Sequence, residues 1–199
     1  MDDRLGNIRT KKALLRKKML KCRRDLTAVE RKNASDLICS KFLDSDEYRD
    51  AKTILLYKAY NNEVDTDLIF ERAVSDGKTV AYPMSKISEG EPDLLFYVIN
   101  DLSELTEGYM NIPEPNVRLM PAEFTGCADV CIAPGVAFDS KCHRIGYGKA
   151  FYDRYIRLNS PKKVIALAYD VQIADDFETE ESDRAVDMVI TQSAVYKNE

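Results

Sequence analysis

One segment of the chain constrains the fold more than any other, because it joins a strand pattern, a glycine-containing loop and a helix pattern. The apolar run 128–133 predicts a buried strand that ends at the turn Pro134-Gly135. Gly146 and Gly148 follow in the loop, and a helical pattern extends over 149–158. Glycines let backbone N–H groups approach an anion, and a helix N-terminus adds positive potential. This layout therefore predicts a phosphate-binding loop.

The same loop carries charged side chains suited to a nucleotide. Arg144 can hold phosphate oxygens bidentately, and Lys149 offers a mobile point charge. Lys149 falls in the first turn of the predicted helix, where the helix dipole disfavours a cation, and this favours a binding role over a solvated surface lysine. Asp153 is a carboxylate suited to Mg²⁺, with an i, i+4 ion pair to Arg157 as the alternative.

Aromatic side chains crowd this segment at Tyr147, Phe151, Tyr152 and Tyr155. They predict that a flat ring binds beside the phosphate. For Phe151 and Tyr155, packing in the hydrophobic core is an equal alternative. The chain has no Walker A pattern, which excludes an ordinary P-loop.

Length and composition predict one globular domain. The chain has 199 residues, of which 45% are hydrophobic and 32% charged. No apolar run approaches the ~20 residues that span a bilayer, and the basic N-terminus lacks the apolar core of a signal peptide. Five cysteines without a CxxC pair and a single histidine argue against a Cys/His zinc site. We therefore expect reduced thiols in a cytoplasmic protein.

Positive charge is concentrated at the N-terminus. Residues 1–32 contain 12 Lys and Arg against 4 Asp and Glu, a net charge of +8, whereas the whole chain carries −5 and the remainder therefore −13. A basic arm on an acidic body is compatible with nucleic-acid binding. Alternatively, the basic residues form a solvated helix face, or they belong to a helix from which two cations reach a bound triphosphate.

Two helices are predicted in this N-terminal region. The first helix is predicted over about 8–25, because apolar residues recur there at helical spacing. These residues are Leu15, Met19, Cys22 and Leu26. A capping box at 27–30 begins the second. Its apolar stripe is predicted to include Ala34, Leu37, Ile38 and Phe42.

Strand and helix patterns alternate along the rest of the chain. Strands are predicted at 53–57, 79–82, 94–99, 128–133, 163–169 and 188–191. A helix is predicted over 66–76, and loops over 85–92 and around Pro113 and Pro115. Pro83 is predicted to end the second strand. The alternation predicts an α/β domain with a mainly parallel sheet covered by helices.

Ligands of such sheets bind beyond the carboxyl ends of the strands. Glu63, Gly135 and Tyr169-Asp170 each follow a predicted strand. We therefore expect their loops to converge on one crevice.

Five blocks of sequence carry a family resemblance. They lie at 12–16, 63–66, 112–115, 134–153 and 186–190. The longest contains Pro-Gly-Val-Ala-Phe-Asp and Arg-Ile-Gly-Tyr-Gly-Lys-Ala-Phe-Tyr-Asp. In this order the blocks resemble the 5-formyltetrahydrofolate cyclo-ligases, also called methenyltetrahydrofolate synthetases, over nearly the whole chain. Ala150 stands where the family usually has a third glycine, and Cys142 and His143 replace small or polar loop residues.

The resemblance implies a fold and an activity. The fold is a single α/β domain over 1–199 that is NagB/RpiA/CoA-transferase-like, with sheet faces covered by helices and an N-terminal helical pair within 1–45 packed on the α/β body. The activity is ATP- and Mg²⁺-dependent closure of 5-formyltetrahydrofolate to 5,10-methenyltetrahydrofolate, with release of ADP and phosphate. We expect a cytoplasmic monomer that binds these small molecules and neither nucleic acid nor membrane.

The resemblance also implies residue roles. Catalysis is assigned to Glu63, Arg144 and Lys149, and Mg²⁺ binding to Asp153 and Asp187. The residues implied for ATP are Lys12, Arg16, Arg144, Gly146, Gly148, Lys149 and Tyr152. Those implied for the formylfolate are Lys58, Glu63, Tyr147, Gly148, Lys149, Ala150 and Phe151.

Each role has a plainer alternative. Lys12 and Arg16 share a helix face at i, i+4 spacing, and without the resemblance we would interpret them as surface residues. Glu63 is alternatively an exposed loop residue, and Asp187 a strand-edge carboxylate. His143, the single histidine, is predicted to be an incidental loop residue.

Two other functions compete with the cyclo-ligase. One is a nucleotide- or RNA-binding module that uses the basic N-terminal helices, although the chain has no RNA-recognition motif and is acidic overall. The other is a related α/β enzyme that acts on phosphorylated sugars or CoA esters. Glu63 together with the 144–153 loop speaks against the second.

Overall fold

A computed structural model describes residues 2–88, 90–180 and 183–198. Its helices are α1 (Asp2–Asp25), α2 (Ala28–Leu43), α3 (Asp46–Asp50), α4 (Asp67–Ser75) and α5 (Phe151–Asn159). Its strands are β1 (Thr53–Leu55), β2 (Thr79–Ser88), β3 (Glu91–Val98), β4 (Leu105–Glu107), β5 (Pro113–Pro115), β6 (Val130–Ile132), β7 (Ala137–Phe138), β8 (Arg144–Ile145), β9 (Lys163–Leu167), β10 (Met188–Ile190) and β11 (Val195–Lys197). Short 3-10 turns lie at Leu102–Glu104, Tyr109–Asn111, Val117–Leu119 and Asp170–Gln172.

The central sheet has the strand order β11-β10-β9-β6-β1-β2-β3. The five strands from β10 to β2 pair in parallel, and the two edge strands β11 and β3 pair antiparallel. Strands buried on both faces are apolar throughout, and every residue of β6 is buried. The predicted mainly parallel sheet is therefore confirmed.

Helices cover both faces of this sheet. The largest core cluster joins α2, α3 and α4 to one face and includes Ile38, Phe42, Tyr48, Ile69, Ile54, Ile132 and Leu167. On the other face, Tyr155 of α5 packs with Leu55, Phe96 and Cys131. α1 rests on the β7–β8 hairpin, where Met19 packs with Val136 and Ile145. No helix within the described ranges is long and apolar enough to cross a membrane.

The N-terminal helical pair forms as predicted, with two differences in detail. At the start of α2, the Thr27 hydroxyl accepts the Glu30 N–H at 3.2 Å and the Glu30 carboxylate accepts the Thr27 N–H at 2.7 Å. α1 extends further toward the N-terminus than the predicted 8–25. Leu37 was wrongly predicted to join the buried stripe, because its side chain is exposed while Ile38 and Phe42 are buried.

The prediction that Pro83 ends a strand was wrong, and so was the predicted loop over 85–92. β2 continues through Pro83, which lies opposite Phe96, and forms a long hairpin with β3. The N–H of Ile99 donates to the carbonyl of Val80. Hydrogen-bonded pairs alternate along antiparallel strands, so the nitrogen of Pro83 faces away from β3. β1 ends opposite Ala81, so Pro83 lies beyond the last residue pair of the β1–β2 ladder, where its missing N–H breaks no described hydrogen bond between the two strands.

Two shorter elements also differ from the prediction. The segment around Pro113 and Pro115 is a short strand, β5, rather than a loop, and it pairs only with β4 among the described strands. Prolines are tolerated on such edge strands. The edge strand β11 was not predicted, since three residues with little burial give no alternating pattern.

Asp129 ties the start of β6 to the start of β1. Its carboxylate accepts the N–H groups of Lys52 and Thr53 at 2.8 and 3.0 Å and the Lys162 ammonium at 2.7 Å. The hydrogen bond from Lys162, followed by those from the backbone, lowers the pKa of Asp129 well below its ordinary value. The ionised carboxylate is therefore the form that stabilises the folded chain.

We predict that Asp129→Asn lowers the free energy of unfolding by about 1–2 kcal/mol at pH 7. A carboxyl whose pKa is depressed in the folded state contributes stability above its unfolded pKa and loses it as the pH falls. The difference between variant and wild type should therefore shrink as the pH drops below about 4. Urea unfolding at several pH values measures this difference in free energy, and Asp50→Asn, at an exposed position, is the control. An equal difference at pH 7 and pH 3.5 would contradict the account.

Candidate functional site

A cavity of about 570 Å³ opens beyond the carboxyl ends of β1 and β6. Its walls come from α1, the loop after β1, the β2–β3 hairpin, the turn at 109–114, and the loop that links β8 to α5. The expected convergence of loops is confirmed for Glu63 and for Pro134 beside Gly135. Tyr169 lies behind this wall, and its hydroxyl donates to the Glu63 carbonyl at 3.1 Å.

Nearly every residue predicted for the site lines this cavity. They are Lys12, Arg16, Lys58, Glu63, Arg144, Gly146, Tyr147, Gly148, Lys149, Ala150, Phe151, Tyr152 and Asp153. Asp187 lies elsewhere. It accepts the Val164 N–H at 2.7 Å and lies 3.7 Å from the Lys163 ammonium. These are the contacts of a strand-edge carboxylate, which was the alternative interpretation of this residue.

Arg144 and Asp153 form an ion pair across the glycine loop. The Arg144 guanidinium donates to Asp153 Oδ1 at 2.5 Å and to the Pro134 carbonyl at 3.0 Å. The Arg144 side chain is only 3% exposed and that of Asp153 is 27% exposed, so water reaches the pair from the Asp153 side. The partner of Asp153 is thus Arg144, and the alternative pair with Arg157 was wrong. Arg144 Nε is buried and finds no acceptor among the described residues.

Lys149 points from the end of the loop into the cavity without a partner. It is exposed, and it makes no hydrogen bond or ion pair with the residues that the structure describes. α5 begins at Phe151, so the prediction that Lys149 belongs to the first helical turn was wrong. The residue between them, Ala150, adopts φ +56°, a left-handed conformation that bends the chain before the helix.

Cations of α1 hold the outer side of the loop. Arg16 Nε donates to the Gly146 carbonyl at 2.8 Å, and its guanidinium lies against Gly148, which has φ +90°. Lys12 is 9% exposed, and its ammonium contacts the carboxylates of Glu180 and Asp183. The interpretation of Lys12 and Arg16 as surface residues was therefore wrong.

Glu63 is a buried carboxylate in the cavity wall, and the exposed-loop interpretation was wrong. It is 8% exposed and accepts the Tyr147 hydroxyl and the Tyr60 N–H, both at 3.0 Å. Burial raises the pKa of Glu63 above its ordinary value, while the Arg23 guanidinium, 4.0 Å away, acts in the opposite direction. The carboxylate is thus held by specific donors in a poorly solvated place.

Arg23 is the main residue that the sequence reasoning missed. It is 1% exposed, and its guanidinium contacts the Tyr147 hydroxyl and the Gly135 carbonyl. A signal was present, because Lys12, Met19 and Arg23 follow one another at i, i+7 and i+11 and so share a helix face. A basic residue on the buried face of a helix predicts a hydrogen-bond acceptor inside the protein, whereas one on the opposite face is solvated.

Aromatic and acidic side chains complete the cavity. Tyr109 and Phe151 stand edge to face, with ring centroids 6.1 Å apart. Glu114 is buried and accepts the Ser85 N–H at 2.9 Å, and it was not predicted as a single residue. The Tyr152 hydroxyl is buried without a hydrogen-bond partner in the described part of the chain. Each of these residues lines the cavity.

Other candidates fall outside the cavity. Tyr155 is a core residue whose ring lies 4.7 Å from that of Phe96, which confirms the core alternative. His143 bonds through Nδ1 to Asp139 at 2.8 Å. Lys58, by contrast, lines the cavity but is engaged by both carboxylate oxygens of Asp67 at 2.5 Å.

Comparisons with known proteins agree on one family. The model of the 5-formyltetrahydrofolate cyclo-ligase family matches residues 8–192. A probable 5-formyltetrahydrofolate cyclo-ligase of Caenorhabditis elegans is 29% identical over 94% of this chain and 95% of its own length. The 5-formyltetrahydrofolate cyclo-ligase of Escherichia coli K12 is 29% identical over 88% of this chain and 97% of its own length. The NMR structure of Aquifex aeolicus 5,10-methenyltetrahydrofolate synthetase superposes with a TM-score of 0.79 at 28% identity, covering 94% and 93%.

We predict that Ala150→Gly stabilises the protein. A non-glycine residue in the left-handed region costs about 1–2 kcal/mol, and the gain on substitution is offset by the greater freedom of glycine in the unfolded chain. The free energy of unfolding should rise by up to about 1 kcal/mol. Denaturant unfolding measures it, with Ala13→Gly on the exposed face of α1 as a control that should destabilise. Destabilisation by Ala150→Gly would contradict the described backbone.

Proposed function

The chain belongs to the 5-formyltetrahydrofolate cyclo-ligase family, and on that premise we propose that it converts 5-formyltetrahydrofolate to 5,10-methenyltetrahydrofolate with ATP and Mg²⁺. The observation that carries the proposal is the shared cavity. Glu63, from the loop after β1, and Arg144, Lys149 and Asp153, from the segment 144–153, line one space of about 570 Å³. A cavity of that size lies within the range of small-molecule binding sites.

The chemistry requires an activated formyl group. The N5-formyl carbonyl is a poor electrophile, because the nitrogen lone pair is delocalised into it. Transfer of the γ-phosphoryl group of ATP to the formyl oxygen releases ADP and leaves an iminium phosphate. N10 then attacks the formyl carbon, N10 loses its proton, and the C–O bond breaks to release phosphate. The protein contributes in-line positioning and charge neutralisation rather than covalent bonds.

The glycine loop is the proposed phosphate end of the cavity. Lys149 has no partner among the residues that the structure describes, and the Arg16 guanidinium lies beside Gly148. Arg144 also has a buried Nε that finds no acceptor within the described ranges. Lys149 can therefore donate to an anion without breaking a described bond, while Arg16 and Arg144 add positive charge nearby from their present positions. Tyr152 lines the same cavity, and its hydroxyl is a further donor that has no partner among the described residues.

Asp153 is the proposed Mg²⁺ ligand. Its Oδ1 is bonded to Arg144, while Oδ2 has no hydrogen-bond partner among the described residues. One carboxylate fits Mg²⁺, which commonly takes one or two protein carboxylates and completes its shell with water and substrate phosphates. When bound, the ion would neutralise phosphate charge. Asp187 lies outside the cavity, and we do not include it.

Glu63 and the aromatic wall are the proposed formylfolate end. The Glu63 carboxylate can accept N–H groups of the reduced pterin, and the ring can pack against Phe151 and Tyr109. Tyr147, whose hydroxyl donates to Glu63, is 37% exposed toward the opening. The cytoplasmic location and the monomeric state stay predictions from the sequence.

The competing functions fit the site less well. Exposed cations remain on α1, but Lys12 and Arg23 are buried and bonded to protein atoms, so part of the positive charge of this helix is directed into the protein. An enzyme of sugar phosphates would use the loop but has no evident need for a buried carboxylate at Glu63.

The test is a spectrophotometric assay of the purified chain with 5-formyltetrahydrofolate, ATP and Mg²⁺. ATP-dependent appearance of the methenyl chromophore, abolished by EDTA, would support the cyclo-ligase. Folded protein that gives no signal, yet binds RNA in a salt-dependent manner, would favour the binding module instead.

We predict that Lys149→Ala lowers kcat by at least about 100-fold, because a lost donor to developing charge typically costs that much. The melting temperature should not change, since Lys149 has no described partner to lose. Lys17→Ala, an exposed lysine of α1 away from the cavity, is the matched control. Wild-type turnover by Lys149→Ala would remove this residue from the mechanism.

Glu63→Gln should weaken use of the formylfolate more than use of ATP. The loss of a charged acceptor predicts a rise of about 10-fold or more in the KM for 5-formyltetrahydrofolate, while the KM for ATP changes little. Steady-state kinetics with each substrate varied in turn measure both. An unchanged folate KM in a folded variant would refute the assignment.

His143→Ala should keep most of the activity, because the imidazole bonds to Asp139 outside the cavity. The same assay measures it. Loss of turnover with ATP binding intact would show that the single histidine takes part in the reaction.

A further inference from the structure

We propose that Arg23 is a positioning residue, which holds Glu63 as a carboxylate and fixes Tyr147 at the formylfolate end of the cavity. The inference rests on the proposed function. Arg23 itself does not line the cavity, so it acts through the two side chains that do.

The geometry is a buried chain of three polar groups. The Arg23 guanidinium contacts the Tyr147 hydroxyl, and that hydroxyl donates to Glu63 Oε1 at 3.0 Å. Arg23 Nη1 is also 4.0 Å from Glu63 Oε1. The guanidinium carbon stands 5.7 Å from the centre of the Tyr147 ring, which adds a cation–π contact. The Tyr147 hydroxyl therefore bridges the two charges.

These groups belong to three separate parts of the chain. Arg23 lies near the end of α1, Glu63 follows β1, and Tyr147 lies between the two loop glycines. Arg23 also donates to the carbonyl of Gly135, at the turn after β6. The Tyr60 N–H holds the second oxygen of Glu63 at 3.0 Å. One buried side chain thus sets the relative positions of both walls of the formylfolate end.

The positive charge of Arg23 stabilises the Glu63 carboxylate, which a neutral side chain of the same size could not do. Glu63 is surrounded by the phenol groups of Tyr57, Tyr147 and Tyr152, and these are neutral because burial raises their pKa values. Arg23 is the described cation that acts on the Glu63 carboxylate, against the desolvation that favours its protonated form. Without that cation, the carboxyl should keep its proton to a higher pH.

Two substitutions at Arg23 separate charge from shape. Arg23→Met keeps much of the buried volume and removes the charge, whereas Arg23→Lys keeps the charge. We expect Arg23→Met to move the acid limb of kcat/KM for 5-formyltetrahydrofolate up by about one pH unit, since Glu63 then needs a higher pH to ionise. Arg23→Lys should move it less, and the KM for ATP should stay within about twofold. Initial rates are read against blanks without enzyme at every pH.

A merely structural Arg23 predicts a different outcome. Its loss would lower the amount of folded enzyme, or change the KM of both substrates together, and would leave the acid limb where it is. An unmoved acid limb in folded Arg23→Met would overturn the proposal.

Tyr147→Phe provides a second test of the proposal, which can be used even if Arg23→Met does not fold. Its ring is partly exposed, and the change removes only the bridging hydroxyl. It should raise the folate KM and shift the acid limb in the same direction by a smaller step. If neither quantity changes, the bridge has no role and the proposal fails.

A readout without substrate separates this proposal from the cyclo-ligase assignment. Melting temperatures are measured for Arg23→Met, Glu63→Gln and the double variant. Coupled groups predict that the double variant loses less than the sum of the single losses. Coupling without any folate turnover would leave the pairing intact and refute the function. Strict additivity would refute the pairing even in an active enzyme.

Discussion

The site depends on a helix that buries cations where helices usually bury apolar side chains. α1 contributes Lys12 and Arg23 to the protein interior and Arg16 to the back of the glycine loop. Each finds oxygen acceptors there, since a buried cation without them would carry a large desolvation cost. Two of those acceptors are the carbonyls of Gly135 and Gly146. The conformation of the loop and the docking of α1 are therefore set by the same bonds.

This arrangement explains how the loop can leave charge available to a ligand. Arg16 and Arg23 donate hydrogen bonds to backbone and side-chain oxygens, and Arg144 is paired with Asp153. Lys149 stays unpaired within the described part of the chain, just before α5 and at the mouth of the cavity. A framework held by these bonds around one unpaired cation suits phosphoryl transfer, in which preorganised charge does most of the catalytic work.

Much of the fold could be predicted from the sequence, because buried parallel strands are apolar runs and a capping box marks a helix start. β6 and the start of α2 were found in this way. The long β2–β3 hairpin was missed, since a proline normally ends a strand and only the register shows that the nitrogen of Pro83 faces an unpaired side. Similarly, the resemblance placed Glu63 and Lys149 in the site, but no local pattern shows that Arg23 and Tyr147 meet across 124 positions. Contacts between distant segments depend on the packing of α1, which sequence periodicity does not specify.

The most direct test of the account is the stoichiometry of one reaction. Methenyltetrahydrofolate and ADP are measured together as the purified chain consumes 5-formyltetrahydrofolate and ATP in the presence of Mg²⁺. The account predicts that the two products appear in equal amounts, and that both disappear in Lys149→Ala. ADP formed without the methenyl product, or the methenyl product formed without ATP, would contradict it.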